Sequence, residues 1–169
     1  VFLRDLSSYL GFLERVGFRD YWAANVCPDL ERLAISLSDE LDRYNLVPAV
    51  ESLIGYGLPD NRIRGYLARF ARPNGLSLGG TAFVMEERTD APSFVRVALH
   101  EILHRRADWS GNPELAGLLR SIGRDKRFRA SFAARDKNAG YNSIPALAEE
   151  DLTKALDQIG SEALGVAED

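Results

Sequence analysis

The segment VRVALHEILHRRADW, residues 95–109, carries both histidines of the chain, His100 and His104, with Glu101 directly after the first. On a helix, residues four apart lie one turn apart and about 40° from each other around the axis. Two imidazoles so placed point the same way from a rigid rod. Tetrahedral zinc asks for this of two of its ligands, nitrogens held at about 2.0–2.1 Å on a scaffold that does not flex. Glu101 lies about 100° round from His100. That is too far for a third ligand, but well placed to reach a water on the metal as a general base.

The competing reading is an amphipathic helix that spells HEILH by chance. Three features favour the metal. The segment has helical periodicity, the apolar stripe of Val95, Leu99, Ile102 and Leu103 faces away from the histidines, and a strand-like segment precedes it.

The elements that must position these residues follow from the rest of the sequence. Leu3, Leu6, Leu10, Leu13 and Val16 recur at helical spacing, with a break at GFRD. Leu30, Leu33, Leu37, Leu41 and Tyr44 form a second helix, started at Pro28 or Asp29, and a short third helix runs from NLVP to the GYGLPDN loop. Segments 62–71 and 80–87 are predicted strands joined by RPNGLSLGG; Ile63, Tyr66, Leu67 and Phe70 of the first also fit a helix, whereas in the second Ala82, Val84 and Glu86 alternate with Phe83, Met85 and Glu87. Asp90 as a cap and Pro92 in the first turn start the motif helix, and SGNP is expected to end it. Short helices and loops follow, then a last helix over about 145–160. Helices, a small central sheet and helices again predict an α+β domain, helical over 1–58 and carrying the metal site over 62–160.

With 169 residues, 46% of them apolar, the chain is expected to form one domain around one core. Its net charge of −4 supplies no general attraction to nucleic acid, and no apolar run reaches the roughly 20 residues needed to cross a bilayer. Nucleic-acid binding and membrane insertion are therefore not expected. The single cysteine, Cys27, excludes an internal disulfide or a cysteine metal site and leaves the compartment open. A start at Val1 suggests an upstream piece, and a secreted or periplasmic location is favoured over the cytoplasm. Arg120, Arg124, Lys126, Arg127, Arg129, Arg135 and Lys137 form a basic run, expected to be a solvated surface or else a cleft wall that prefers acidic peptides. GLSLGG lacks the Lys-Ser/Thr of a phosphate loop.

H-E-x-x-H on a helix preceded by a strand resembles the zincin metallopeptidases, and the resemblance covers about residues 62–160. It implies a zincin-like α+β fold, a Zn2+ cofactor, and hydrolysis of a peptide or protein substrate by metal-activated water with Glu101 as general base. It also implies a substrate cleft between strand 80–87, at the sheet edge, and the motif helix. The metzincin continuation is missing, because Ala107 and Ser110 stand where glycine and a ligand would be. Asp108 and Asp136 are weaker third-ligand candidates. The gluzincin pattern, a glutamate on a downstream helix, matches PALAEEDLTKALDQI from Glu150 and fails from Glu149. A helical wheel argues the other way: it makes Leu152, Ala155, Leu156 and Ile159 the core stripe, flanked by Glu149, with Glu150 nearly opposite. Glu150 is taken as the third metal ligand and Glu149 as its alternative.

Lys154 departs from the gluzincin pattern, which has an aspartate there to orient a ligand histidine; a backbone carbonyl or Asp157 is expected instead. Tyr141 is the candidate to stabilise the oxyanion. The alternative functions are a noncatalytic zincin-like domain that binds metal or peptide, and a helical interaction module.

Overall fold

The computed structural model describes residues 2–69, 75–104, 112–135 and 141–167. Among these residues the chain is α+β and mostly helical, with one three-stranded mixed sheet.

Four helices open the chain: α1 (Phe2–Arg15), α2 (Phe18–Asn25), α3 (Cys27–Leu41) and α4 (Leu46–Ile54). The expected break at GFRD is narrower than its sequence suggests. Gly17 alone adopts a left-handed conformation, at φ 70°, and α2 begins at the next residue. Pro28 lies in the first turn of α3, where its missing N–H costs nothing. Tyr44 falls beyond that helix but still packs on the core.

The sheet contains β1 (Arg64–Ala68), β2 (Leu76–Gly79) and β3 (Ala82–Glu86) in the order β1-β3-β2. β1 runs parallel to β3 in the register Arg64↔Ala82 to Ala68↔Glu86, and β2 runs antiparallel to β3. Two of these strands lie within the expected segments. The third, β2, lies inside the stretch expected to be a loop. It is joined to β3 through Gly79 and Gly80, both at positive φ, as a tight hairpin connection requires. The strand before the motif helix is therefore the centre of the sheet, and not its edge as the zincin resemblance implied. β2 and β1 are the edges.

Helix α5 (Ala91–Leu103) is the hub of the domain. Ala91, Phe94, Val95, Ala98, Leu99, Ile102 and Leu103 are all buried on it. They meet Phe83 and Met85 of β3, Leu37 of α3 and Val50 of α4 in one core. Asp90 caps this helix as expected: its carboxylate accepts the Ser93 amide at 2.8 Å, and Pro92 lies in the first turn. The helix ends at Leu103, well before SGNP. His104 is its C-cap, with extended ψ of 140° while its N–H still bonds to His100 O. Residues 105–111 lie outside the described residues, and with them Ala107, Asp108 and Ser110.

The hydrogen bonds from Ser93, side chain first and then backbone amide, lower the Asp90 pKa below the usual carboxylate value. A lowered folded-state pKa means that the stabilisation is present above the unfolded value, about 3.9, and is lost as pH falls through the folded one. We expect Asp90→Ala to cost about 1 kcal/mol at neutral pH. Asp90→Asn keeps most of the cap and flattens the acid limb of the stability curve, which urea titrations at several pH values will show. An Asn variant with the wild-type acid profile would contradict the assignment.

Helices α6 (Pro113–Arg124) and α7 (Lys126–Ala134) follow, capped by Asn112 and Asp125, and bury no residue fully. The last helix, α8 (Ile144–Leu164), is longer than its expected 145–160 and is capped by Ser143. Gly160 of α8 packs so closely on Leu53 and Leu99 that a Cβ there would lie 3.0 Å from Leu53 and 3.1 Å from Leu99. Three helices, α4, α5 and α8, thus meet at a residue without a side chain. No helix among the described residues is long and apolar enough to cross a membrane.

Candidate metal centre

α5 presents its apolar stripe to the core, so its opposite side faces a cleft of about 730 Å³ between α5, α8 and the start of β2. His100, His104, Glu101, Glu150, Tyr141 and Asp157 all line it. His100 and His104 are half-buried, with their ring planes at 86° and their Nε2 atoms 3.1 Å apart. Ending α5 one residue before His104 does not separate the two rings, because the last helical hydrogen bond still fixes the His104 backbone.

Glu150 enters from α8 and is only 3% exposed. Its Oε2 lies 3.8 Å from His100 Nε2 and 3.6 Å from His104 Nε2. A point equally distant from these three atoms lies about 2.0 Å from each, the ordinary length of a zinc–nitrogen or zinc–oxygen bond. Oε2 is buried and has no hydrogen-bond partner. An unsatisfied buried carboxylate oxygen costs roughly 1–3 kcal/mol or more, so the arrangement fits a cation at that point. The donor set, two neutral imidazoles and one carboxylate, suits zinc and leaves a fourth position open.

The wheel expectation for α8 holds for Leu156, which packs on the core, but fails for Ile159 and for Glu150. Ile159 is 54% exposed, whereas the buried line of the helix is Glu150, Thr153, Gly160 and Ser161. This side, small and polar, is the one turned toward α5. Glu149 sits at the rim: its Oε1 is 3.6 Å from His104 Nδ1, the nitrogen that faces away from Glu150.

Asp157 stands in the same relation to the other ring, with Oδ2 3.6 Å from His100 Nδ1. Ser161 donates to the second oxygen of Asp157 at 3.1 Å. Asp157 is also the largest of the influences that raise the His100 pKa above its ordinary value; burial opposes them, and Glu150 and Glu101 add to them. Each histidine therefore turns Nε2 toward Glu150 and Nδ1 toward a carboxylate, the outer arrangement that orients metal-bound imidazoles. The expectation for Asp157 holds in position, and the role of Glu149 beside His104 was not expected.

Burial alone would raise the pKa of Glu150. Lys154 and Tyr141, with the charge of His100, outweigh that and leave it lowered, so the carboxylate is anionic near neutrality. Lys154 Nζ lies 3.1 Å from Oε1. The Tyr141 hydroxyl is pushed up to about 12, first by burial and then by Glu150, and so keeps its proton.

Glu101 lies against the backbone of Gly75, where a Cβ would come within 2.7 Å of its Oε1 and 2.4 Å of Val97. Gly75 and Leu76, at the entry to β2, form the cleft wall that the zincin resemblance had assigned to strand 80–87. Sequence reasoning missed them because β2 is only four residues, Leu-Ser-Leu-Gly, and so short a stretch carries little strand signal on its own. Asp136 and Lys137 lie outside the described residues. The described members of the basic run do not line the cleft.

Compared with protein-family models, curated proteins and solved structures, the chain matches none.

Proposed function

We propose that this chain is a zinc-dependent peptidase domain of gluzincin type, with His100, His104 and Glu150 as metal ligands and Glu101 as general base. The observation that carries the reading is the buried, unpartnered Glu150 Oε2 facing two imidazole nitrogens at metal-ligand spacing. Zinc held there would supply Lewis acidity, which acidifies water and polarises a carbonyl.

The chain's own residues supply the rest. Glu101, next to the ligand His100 and open to the cleft, accepts a proton from water and returns it to the leaving amine. Tyr141, protonated at neutral pH, donates its O–H to the developing oxyanion. β2 is an edge strand beside the same cleft, and an edge offers backbone groups with which an extended peptide can pair. That geometry favours an extended peptide or a protein loop as substrate.

The test is zinc content together with Glu101→Gln. About one zinc per chain is expected by elemental analysis in both proteins. Glu101→Gln is expected to lower kcat on a cleaved peptide by about 10²–10⁴-fold. Zinc bound by wild type, with no cleavage across a diverse peptide library, would instead establish a noncatalytic metal site. No zinc uptake would return HEILH to the status of an amphipathic helix.

A further inference from the structure

The two oxygens of Glu150 have different surroundings. Oε2 is buried, has no hydrogen-bond partner and faces the two imidazoles. Oε1 is 3.1 Å from the ammonium of Lys154, one turn further along α8. The same ammonium pairs with the ligand carboxylate and lies 5.9 Å from the centre of the Tyr141 ring. If both oxygens bound a metal, this ammonium would stand beside a metal-bound oxygen, and its charge would oppose the cation.

We propose that Lys154 is the positioning residue of the metal centre: it holds Glu150 Oε1 so that Oε2 alone is offered to the cation. This inference rests on the metal-site reading. It also gives a role to the residue that departs from the gluzincin pattern. Where that pattern places an aspartate to orient a ligand histidine, this chain places a lysine that orients the ligand glutamate. The orientation of His100 passes to Asp157, three residues later. With one oxygen tied, the carboxylate occupies a single coordination position, and the fourth stays open for water.

The side chain of Lys154 is 60% exposed, so its replacement does not disturb the core. The experiment uses the whole chain, freed of metal and titrated with zinc and, separately, with cobalt(II), whose visible absorption is strong in four-coordinate sites and weakens as coordination number rises. Lys154→Met and Lys154→Gln remove the charge in two ways, and Lys154→Arg restores it. Circular dichroism of the metal-free proteins checks folding.

The expected result is zinc affinity about 10–100-fold weaker in the Met and Gln variants, a weaker cobalt band in both, and return of both properties with Arg. Unchanged affinity and an unchanged band would overturn the proposal while leaving the metal centre intact. Weaker affinity with an unchanged band would reduce Lys154 to a charge effect and overturn its positioning role. Failure of wild type to take up either metal would overturn the metal-site reading and this inference with it.

Discussion

Glu150→Gln is expected to weaken zinc binding by more than the roughly 10–100-fold that loss of an outer partner costs, whereas Glu149→Gln is expected to stay within that range. The reason is position. Glu150 is the carboxylate within reach of both Nε2 atoms, and of the two histidines Glu149 approaches His104, at Nδ1. The metal-free protein is expected to lose a little stability as well. Burial raises the Glu150 pKa, but Lys154, Tyr141 and the charge of His100 outweigh it, so the ionised carboxylate stabilises the fold at neutral pH. The ion pair lost with Lys154 has one largely exposed member, and pairs of that kind contribute about 0–1 kcal/mol. Metal-free Glu150→Gln is therefore expected to melt slightly below the wild-type temperature while binding zinc far more weakly. Competition with a chelator measures the affinity, and calorimetry without metal measures the stability. Loss of zinc through Glu149→Gln, with Glu150→Gln unaffected, would reverse the ligand assignment.

The second large effect concerns the scaffold. Leu99 is fully buried next to His100, and it rests on Gly160 of α8 together with Leu53 of α4. It therefore joins the helix that carries the histidines to the helix that carries Glu150. Leu99→Ala removes its packing and leaves a cavity at that junction, at an expected cost of about 2–5 kcal/mol. Leu99→Met, close in volume, is expected to cost less than about 1.5 kcal/mol. Urea unfolding of the metal-free proteins checks both. A loss below about 1 kcal/mol for Leu99→Ala would mean that the junction collapses around the gap and that α5 and α8 are held elsewhere. If the metal site bridges the two helices, saturating zinc should recover part of the loss, because a ligand bound only to the folded state stabilises it by mass action.

Much of the site was legible because its information is local. His100, Glu101 and His104 belong to one helical turn, and a helix places residues four apart together whatever surrounds it. The Asp90 cap, Pro92 and the stripe of Val95, Leu99, Ile102 and Leu103 are equally local, and all appear in the structure as the sequence implied. Where local patterns misled, tertiary contacts are the cause. The wheel for α8 sought a single apolar stripe and favoured Ile159, whereas the buried side carries Glu150, Thr153, Gly160 and Ser161. A helix that faces a polar cleft and a close-packed neighbour buries polar and small residues, and periodicity of hydrophobicity cannot register them.

By itself, then, the sequence determined the helix with two imidazoles and a glutamate in one turn, its entry, its apolar side and the α+β character of the chain. Only the tertiary structure decided what stands opposite that helix. It made Glu150 the buried partner of the two Nε2 atoms and Glu149 the neighbour of one Nδ1. It placed β2, which acquires strand form only by pairing with β3, at the edge beside the cleft. It also set Asp157 beside His100, fifty-seven positions before it in the chain. The physical reason is the same throughout. Side chains within a helical turn are related by backbone geometry alone, whereas those brought together from α5, β2 and α8 are related only by how the core packs between them.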